Sequence, residues 1–197
     1  MPDRLPVRYL IARTFASDIR AMTRKRNQQS GFTLLELMVV VTLISVLAAI
    51  ALPSFTSESR KSKGDSEVAA FFGELAVREE QYGVENGKYL STSSGESVTF
   101  PVTATPAAQT LGTLPATWQT LKARTPESSA RCGYVVVAGT KTDSAGTIAT
   151  TSFSYTPPAK NWFYILAHCD LDGNTAVDSY YFMSNDDAAI KKINYGR

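Results

Sequence analysis

The chain has 197 residues, 44% of them apolar, and a formal net charge of only +2. Residues 1–31 hold seven basic and two acidic side chains, a net of +5, so everything after them sums to −3. A basic leader before a mildly acidic body fits an exported chain with one globular domain, and it excludes nucleic acid as the body's main ligand.

Within the leader the first 21 residues have no sustained periodicity, and Arg24-Lys25-Arg26 stand close to its end. Met22 is an internal start that would leave a short basic leader, Met22 to Gly31, and translation is expected to begin there. With either start, residues 1–31 are a removable leader and take no part in the fold.

From Phe32 to Leu52 run 21 residues whose only charge is Glu36. As a helix they cover roughly 31 Å, about one bilayer core. The run is apolar all round, as lipid or the core of a helical bundle requires. Thr42 and Ser45 are placed to give their hydroxyls to carbonyls one turn back. A lone carboxylate in a spanning helix costs a few kcal/mol and marks a function. The upstream cations put the N-terminal end on the cytoplasmic side. Pro53 removes an amide donor and crowds the preceding turn, so a kink or break is expected there.

Gly31-Phe32-Thr33-Leu34-Leu35-Glu36 ahead of an apolar helix resembles the processing site of type IV pilins and their relatives, the class III signal-peptide proteins. The resemblance is dense over residues 31–53 and looser as far as Leu90. It implies that a prepilin peptidase cuts between Gly31 and Phe32, that the new N-terminal Phe32 is N-methylated, and that the helix stays in the mature protein. Glu36 becomes the fifth mature residue, where the family has its glutamate. Its implied role is in assembly, paired with the N-terminal amine of a neighbouring subunit or of its own chain. Pro53 stands where such pilins commonly have a proline. The competing reading is a secretory signal, cut after the apolar run at Leu47-Ala48-Ala49-Ile50-Ala51.

Residues 54–90 form an amphipathic continuation of the helix. Arg60, Lys61 and Lys63 fall where the chain would leave the membrane. Val68, Phe72, Leu75 and Tyr82 recur at spacings of four, three and seven, widened by Ala69, Phe71 and Ala76, a stripe expected to face a sheet. Gly64 and Gly73 each weaken a helix by up to about 1 kcal/mol and leave it bendable. Most of the charges between them read as a solvated face. Asn86-Gly87 is the expected stop.

Residues 91–131, punctuated by Pro101, Pro106, Pro115 and Pro126, are a polar connector, which the resemblance makes a variable surface loop. A short β piece is expected at Ser97–Phe100 and a helical turn around Trp118 and Leu121. Residues 132–197 offer four strand-like runs: 134–137, 152–155, 162–166 and 179–183. Short connectors make them antiparallel, and the fold class is α+β, a long helix packed against one sheet.

Cys132 and Cys169 would lie in an oxidising compartment, where a disulfide is expected. It closes a loop of about 38 residues, worth roughly 3–4 kcal/mol in the chain-entropy model. The single His168 is too few soft ligands for a metal alternative, and no nucleophile or orienting partner gives it a catalytic role, so it reads as a partly buried strand residue. Asp170, Asp172, Asn174 and Asp178 are oxygen ligands at spacings that suit Ca²⁺ weakly, since neither the glycine nor the twelfth position fits an EF-hand. Ordinary turn chemistry explains the same residues.

The expected function is structural, with no enzyme activity and no cofactor: a pilin subunit that polymerises into a type IV pilus. A major pilin is the first reading, and a minor pilin or a type II secretion pseudopilin the alternatives. A membrane-anchored periplasmic binding domain is the reading from another class. The partners implied are identical or related subunits, the prepilin peptidase, the inner-membrane assembly machinery and, before assembly, membrane lipid. The chain would first span the bacterial inner membrane once, its domain in the periplasm, and then stand outside the cell in the filament.

Overall fold

A 53-residue helix, α1, occupies Leu34–Asn86 in the computed structural model, which describes residues 31–93, 95–144, 153–174 and 177–196. The leader before Gly31, with the Met22 start, lies outside the described residues. The chain falls into two units, Met1–Val46 and Leu47–Arg197. In the first, the described residues are the opening turns of α1 and the residues that cap them.

In the second unit α1 passes through Pro53 without ending and then buries one stripe. Gly64, Glu67, Val68, Phe71, Phe72, Leu75 and Glu79 are its buried residues. Ala69, expected to widen the stripe, is exposed, because it lies about 100° round the helix from Val68. Gly64 does more than loosen the helix. A Cβ there would come within 2.8 Å of Leu171, so the missing side chain is what lets the loop after β4 approach. The stop falls where the sequence puts it: Gly87, at φ +69°, gives its amide to Gly83 O at 2.8 Å.

Among the described residues the rest comprises β1 (Gln109–Thr110), α2 (Ala116–Thr120), β2 (Ser129–Ala130), β3 (Cys132–Gly139), β4 (Trp162–Cys169), β5 (Ser179–Ser184) and β6 (Lys191–Ile193). β1 and β2 pair with each other, and β3-β4-β5-β6 form an antiparallel sheet in that order. Alternation along the strands produces two apolar faces. Tyr134, Val136, Phe163, Ile165, Ala167, Tyr181 and Met183 share a core with the α1 stripe, with Trp118 and Leu121 of the expected helical turn. Val135, Trp162, Tyr164, Leu166 and Phe182 form a second cluster with Phe153 and Tyr155.

That second cluster corrects one expectation. Ser152 lies outside the described residues, and residues 153–155 belong to no strand. Their aromatic rings cover a sheet face instead, Phe153 stacking on Phe182 at 5.2 Å and Tyr155 meeting Trp162 and Tyr164 edge-on at 5.8 and 5.3 Å. The sheet's fourth strand is β6, three residues long.

One edge of the sheet is covered and the other is blunted. On the outer edge of β3, Tyr134 exchanges two backbone bonds of 2.9 Å with Phe100. Side-chain hydroxyls serve the next two positions: Val136 N donates to Thr92 Oγ1 at 2.8 Å and Ala138 N to Ser91 Oγ at 2.9 Å. β6 blunts the other edge by being short and carrying Lys191 and Lys192.

Helix and sheet are tied by carboxylates as well as by apolar contact. Glu67 Oε1 accepts from Arg131 N at 2.8 Å, Cys132 N at 3.0 Å and the Tyr134 hydroxyl at 2.9 Å, which fixes the start of β3 to the helix. Asp65 accepts from the Tyr181 and Tyr195 hydroxyls and pairs with Lys192 at 2.8 Å, holding β5, β6 and the C-terminal turn. Cys132 and Cys169 stand directly opposite in the β3–β4 register, Cα atoms 4.3 Å apart, and are joined by the expected disulfide. Glu67→Ala strands two backbone amides and a buried phenol, so guanidinium unfolding of the detergent-solubilised chain should reveal a loss of about 3–5 kcal/mol. Replacing both cysteines by serine should cost roughly 3–4 kcal/mol in the same assay while leaving the far-ultraviolet circular dichroism unchanged.

Candidate functional site

At the head of α1 the residues Gly31 to Glu36 build a capped helix start. Thr33 is the N-cap: its Oγ1 accepts from Glu36 N at 3.2 Å, and its carbonyl accepts from Leu37 N at 3.2 Å. Thr33-Leu34-Leu35-Glu36 has the spacing of a capping box, and a carboxylate in the first turn also favours the positive end of the helix. Hydrophobic patterning misses this cap, although the Thr-x-x-Glu spacing announces it. The observed cap bond uses the Glu36 backbone amide, and the local use of its carboxylate is to complement the positive end of the helix.

Gly31 and Phe32 have no such use. Phe32 is 81% exposed, and a Cβ built on Gly31 meets nothing within 4 Å. Nothing in the described chain requires glycine at 31 or an aromatic ring at 32. Any demand for those two residues comes from outside the described residues.

Behind the cap, the apolar residues of α1 from Leu34 to Leu52 other than Ala48 are exposed, the larger ones by half or more at most positions. The helix is long and apolar enough to cross a membrane, and none of its most apolar stretch is buried by the rest of the protein. The core helix of a water-soluble domain would be covered. Within the run the hydroxyls are satisfied without partners from elsewhere, Thr42 donating to Val39 O at 2.8 Å and Ser45 to Val41 O at 2.7 Å. Further along, Arg60 and Lys63 are exposed, and Lys61 pairs with Glu58 at 2.9 Å.

The other residues singled out in the sequence lie at the disulfide end of the sheet, at and after the end of β4 and at the start of β5. Asp170 Oδ1 accepts from Gly173 N at 2.7 Å and Asp172 Oδ1 from Asn174 N at 2.8 Å, both turn hydrogen bonds. Asp178 Oδ2 lies 2.6 Å from His168 Nε2, and the His168 ring stacks on Tyr180 at 5.1 Å. His168 is thus a strand residue of β4 held by its neighbours on and beside β5. Among the described residues no three His, Cys, Asp or Glu side chains converge as a metal site. The signal that periodicity missed is on α1, where Glu67 and Glu79 are buried rather than solvated. Glu79 sits four residues after Leu75 and seven after Phe72, within the apolar stripe, and that position distinguishes it from the exposed charges.

A family model described as the prokaryotic N-terminal methylation motif matches residues 26–52. The type IV wide pilus major component PilA4 of Thermus thermophilus is 32% identical over 77 residues, 39% of this chain and 57% of that protein. The type II secretion system core protein G of Pseudomonas aeruginosa is 36% identical over 74 residues, 36% of this chain and 49% of that protein. The type IV major alpha-pilin of Moraxella bovis is 48% identical over 54 residues, 26% of this chain and 33% of that protein. The chain thus spans about half the length, or less, of these curated relatives. No solved structure matches it. A methylation motif lies over the capped start of a bare apolar helix, and over its N-terminal part the chain is similar to components of type IV pili and of type II secretion.

Proposed function

We propose that the chain is a structural subunit of a type IV pilus-like filament. A prepilin peptidase cuts after Gly31, Phe32 becomes the methylated N-terminus, and α1 anchors the subunit in the inner membrane, its domain in the periplasm, until copies polymerise. One observation carries this reading: the exposed apolar turns of α1 directly follow the processing motif. Such a surface is stable in lipid or against other helices, and a subunit passing from membrane to filament meets both in turn. The role is structural rather than enzymatic. Its partners are copies of itself or related subunits, the peptidase and the inner-membrane assembly machinery.

Glu36 then has a second use. Cleavage leaves a cationic amine at Phe32, four residues away, and a carboxylate enclosed by packed helices is penalised until it finds a cation. The amine of a neighbouring subunit, or of the same chain, supplies it. A major pilin is the first reading, with pilus components among the relatives. A type II secretion pseudopilin is the second, favoured by the similarity to core protein G. Quantifying the subunit in purified filaments separates them: abundance in pili supports a major pilin, traces a minor one, and absence a secretion component or a membrane anchor.

Gly31→Ser should leave the fold untouched and block cleavage, so that immunoblots of whole cells carry only the unprocessed band. Glu36→Gln keeps the backbone cap bond and the size of the side chain but removes the charge. Processing should continue in this variant and in Glu36→Ala, while filaments sheared from the cells fall below detection, in line with about 3–5 kcal/mol lost per unpaired buried charge. Normal filament yield from Glu36→Gln would leave Glu36 with its local role at the helix start alone.

A further inference from the structure

Glu79 is fully buried near the end of α1, and neither processing nor assembly uses it. Its Oε2 accepts from Leu90 N at 2.9 Å, while its Oε1 has no hydrogen-bond partner among the described residues. No cation among the described residues compensates it. On α1, Arg78 pairs with Glu74 at 2.8 Å, and the adjacent Glu80 is a second negative charge. On the connector, the Tyr89 hydroxyl serves Glu80. Beyond α2, Lys122 pairs with Glu85 at 3.7 Å, and the Arg124 backbone amide serves Glu74. An ionised carboxylate in this position would be buried, unpaired and repelled.

Leu90 opens the stretch that closes the edge of β3. Ser91 and Thr92 cover Ala138 and Val136, and the Thr117 hydroxyl of α2 donates to Thr92 O at 2.7 Å. We propose that Glu79 is kept as the neutral acid and latches the connector to the helix, so that ionising it releases residues 90–92 and uncovers the edge of β3. The proton resides on Oε1, and Oε2 receives the Leu90 amide as a carbonyl-like oxygen. Burial, with the Glu80 charge beside it, holds Glu79 far above the carboxylate range, at about 8.

The direction of the pH response follows from that elevation. The latched state binds the proton more tightly than the released state, in which Glu79 titrates near 4.5. Latching is therefore strongest below that value, weakens by up to tenfold per pH unit as pH rises towards 8, and levels off beyond.

The test is amide hydrogen exchange on the detergent-solubilised full chain at several pH values, with each rate corrected for intrinsic exchange. Protection of Leu90, Thr92, Val136 and Ala138 should fall by about two to three orders of magnitude between about pH 5 and pH 8, while Ile165 inside the sheet stays protected. In Glu79→Gln the same four amides should keep a pH-independent protection. Wild-type protection that ignores pH, or an equal decline in Glu79→Gln, overturns the latch. Carbon-detected titration of the Glu79 carboxyl in the wild-type chain decides the matter even if the variant does not fold. A midpoint in the ordinary carboxylate range overturns the proposal, and one near 8 sustains it.

Discussion

Apolar side chains exposed around a helix cannot remain in water, and from Leu34 to Leu52 α1 presents little else. Every other feature of the chain answers to that constraint. The run has to enter lipid or be enclosed by other helices, so its polar groups are the few that satisfy themselves: Thr33 as the cap, Thr42 and Ser45 bonded to their own backbone. Glu36 is the exception that a solitary anchor has no reason to keep beyond its local role at the helix start. A helix that only held a domain to a membrane would lose little if that charge were absent, whereas helices that pack together gain a fixed register from one buried pair.

The second half of α1 meets the opposite demand. It must hold a whole sheet along one narrow stripe, and apolar contact alone leaves a helix free to slide or rotate. Carboxylates spaced along the stripe remove that freedom. Asp65 reaches β5, β6 and the C-terminal turn, Glu67 the start of β3 beside the disulfide, and Glu79 the connector. Each accepts from donors fixed in direction, so together they set both the position and the rotation of the helix on the sheet. Glu79 accepts from a single donor, Leu90 N, and burial raises its proton affinity.

The processing motif, the apolar run, the stripe and the Gly87 stop are legible in the sequence because each is written in residues a few positions apart. The disulfide follows from compartment and count. What escaped depends on distant partners. Glu67 finds its donors 64 to 67 residues away, and a periodicity reading assigns any such charge to solvent. Phe153 and Tyr155 alternate like strand residues, yet their rings are used to cover a sheet face. β6 carries two lysines in three residues and has no pattern of its own; the Asp65–Lys192 pair and its register with β5 create it.

The edges of the sheet bear on how copies of such a chain can join. Extended segments associate most readily through unpaired strand edges, and that route is occupied on the β3 side and disfavoured on the β6 side. Phe100, Thr92 and Ser91 occupy the outward donors of β3, and β6 is short and basic. The connector achieves this with hydroxyl side chains at two of the three positions, so it covers the edge without itself becoming a strand that would present a new one. Among the described residues, the large apolar surface left uncovered is the first part of α1, and if copies of the chain polymerise as proposed, that surface is the one physically suited to join them.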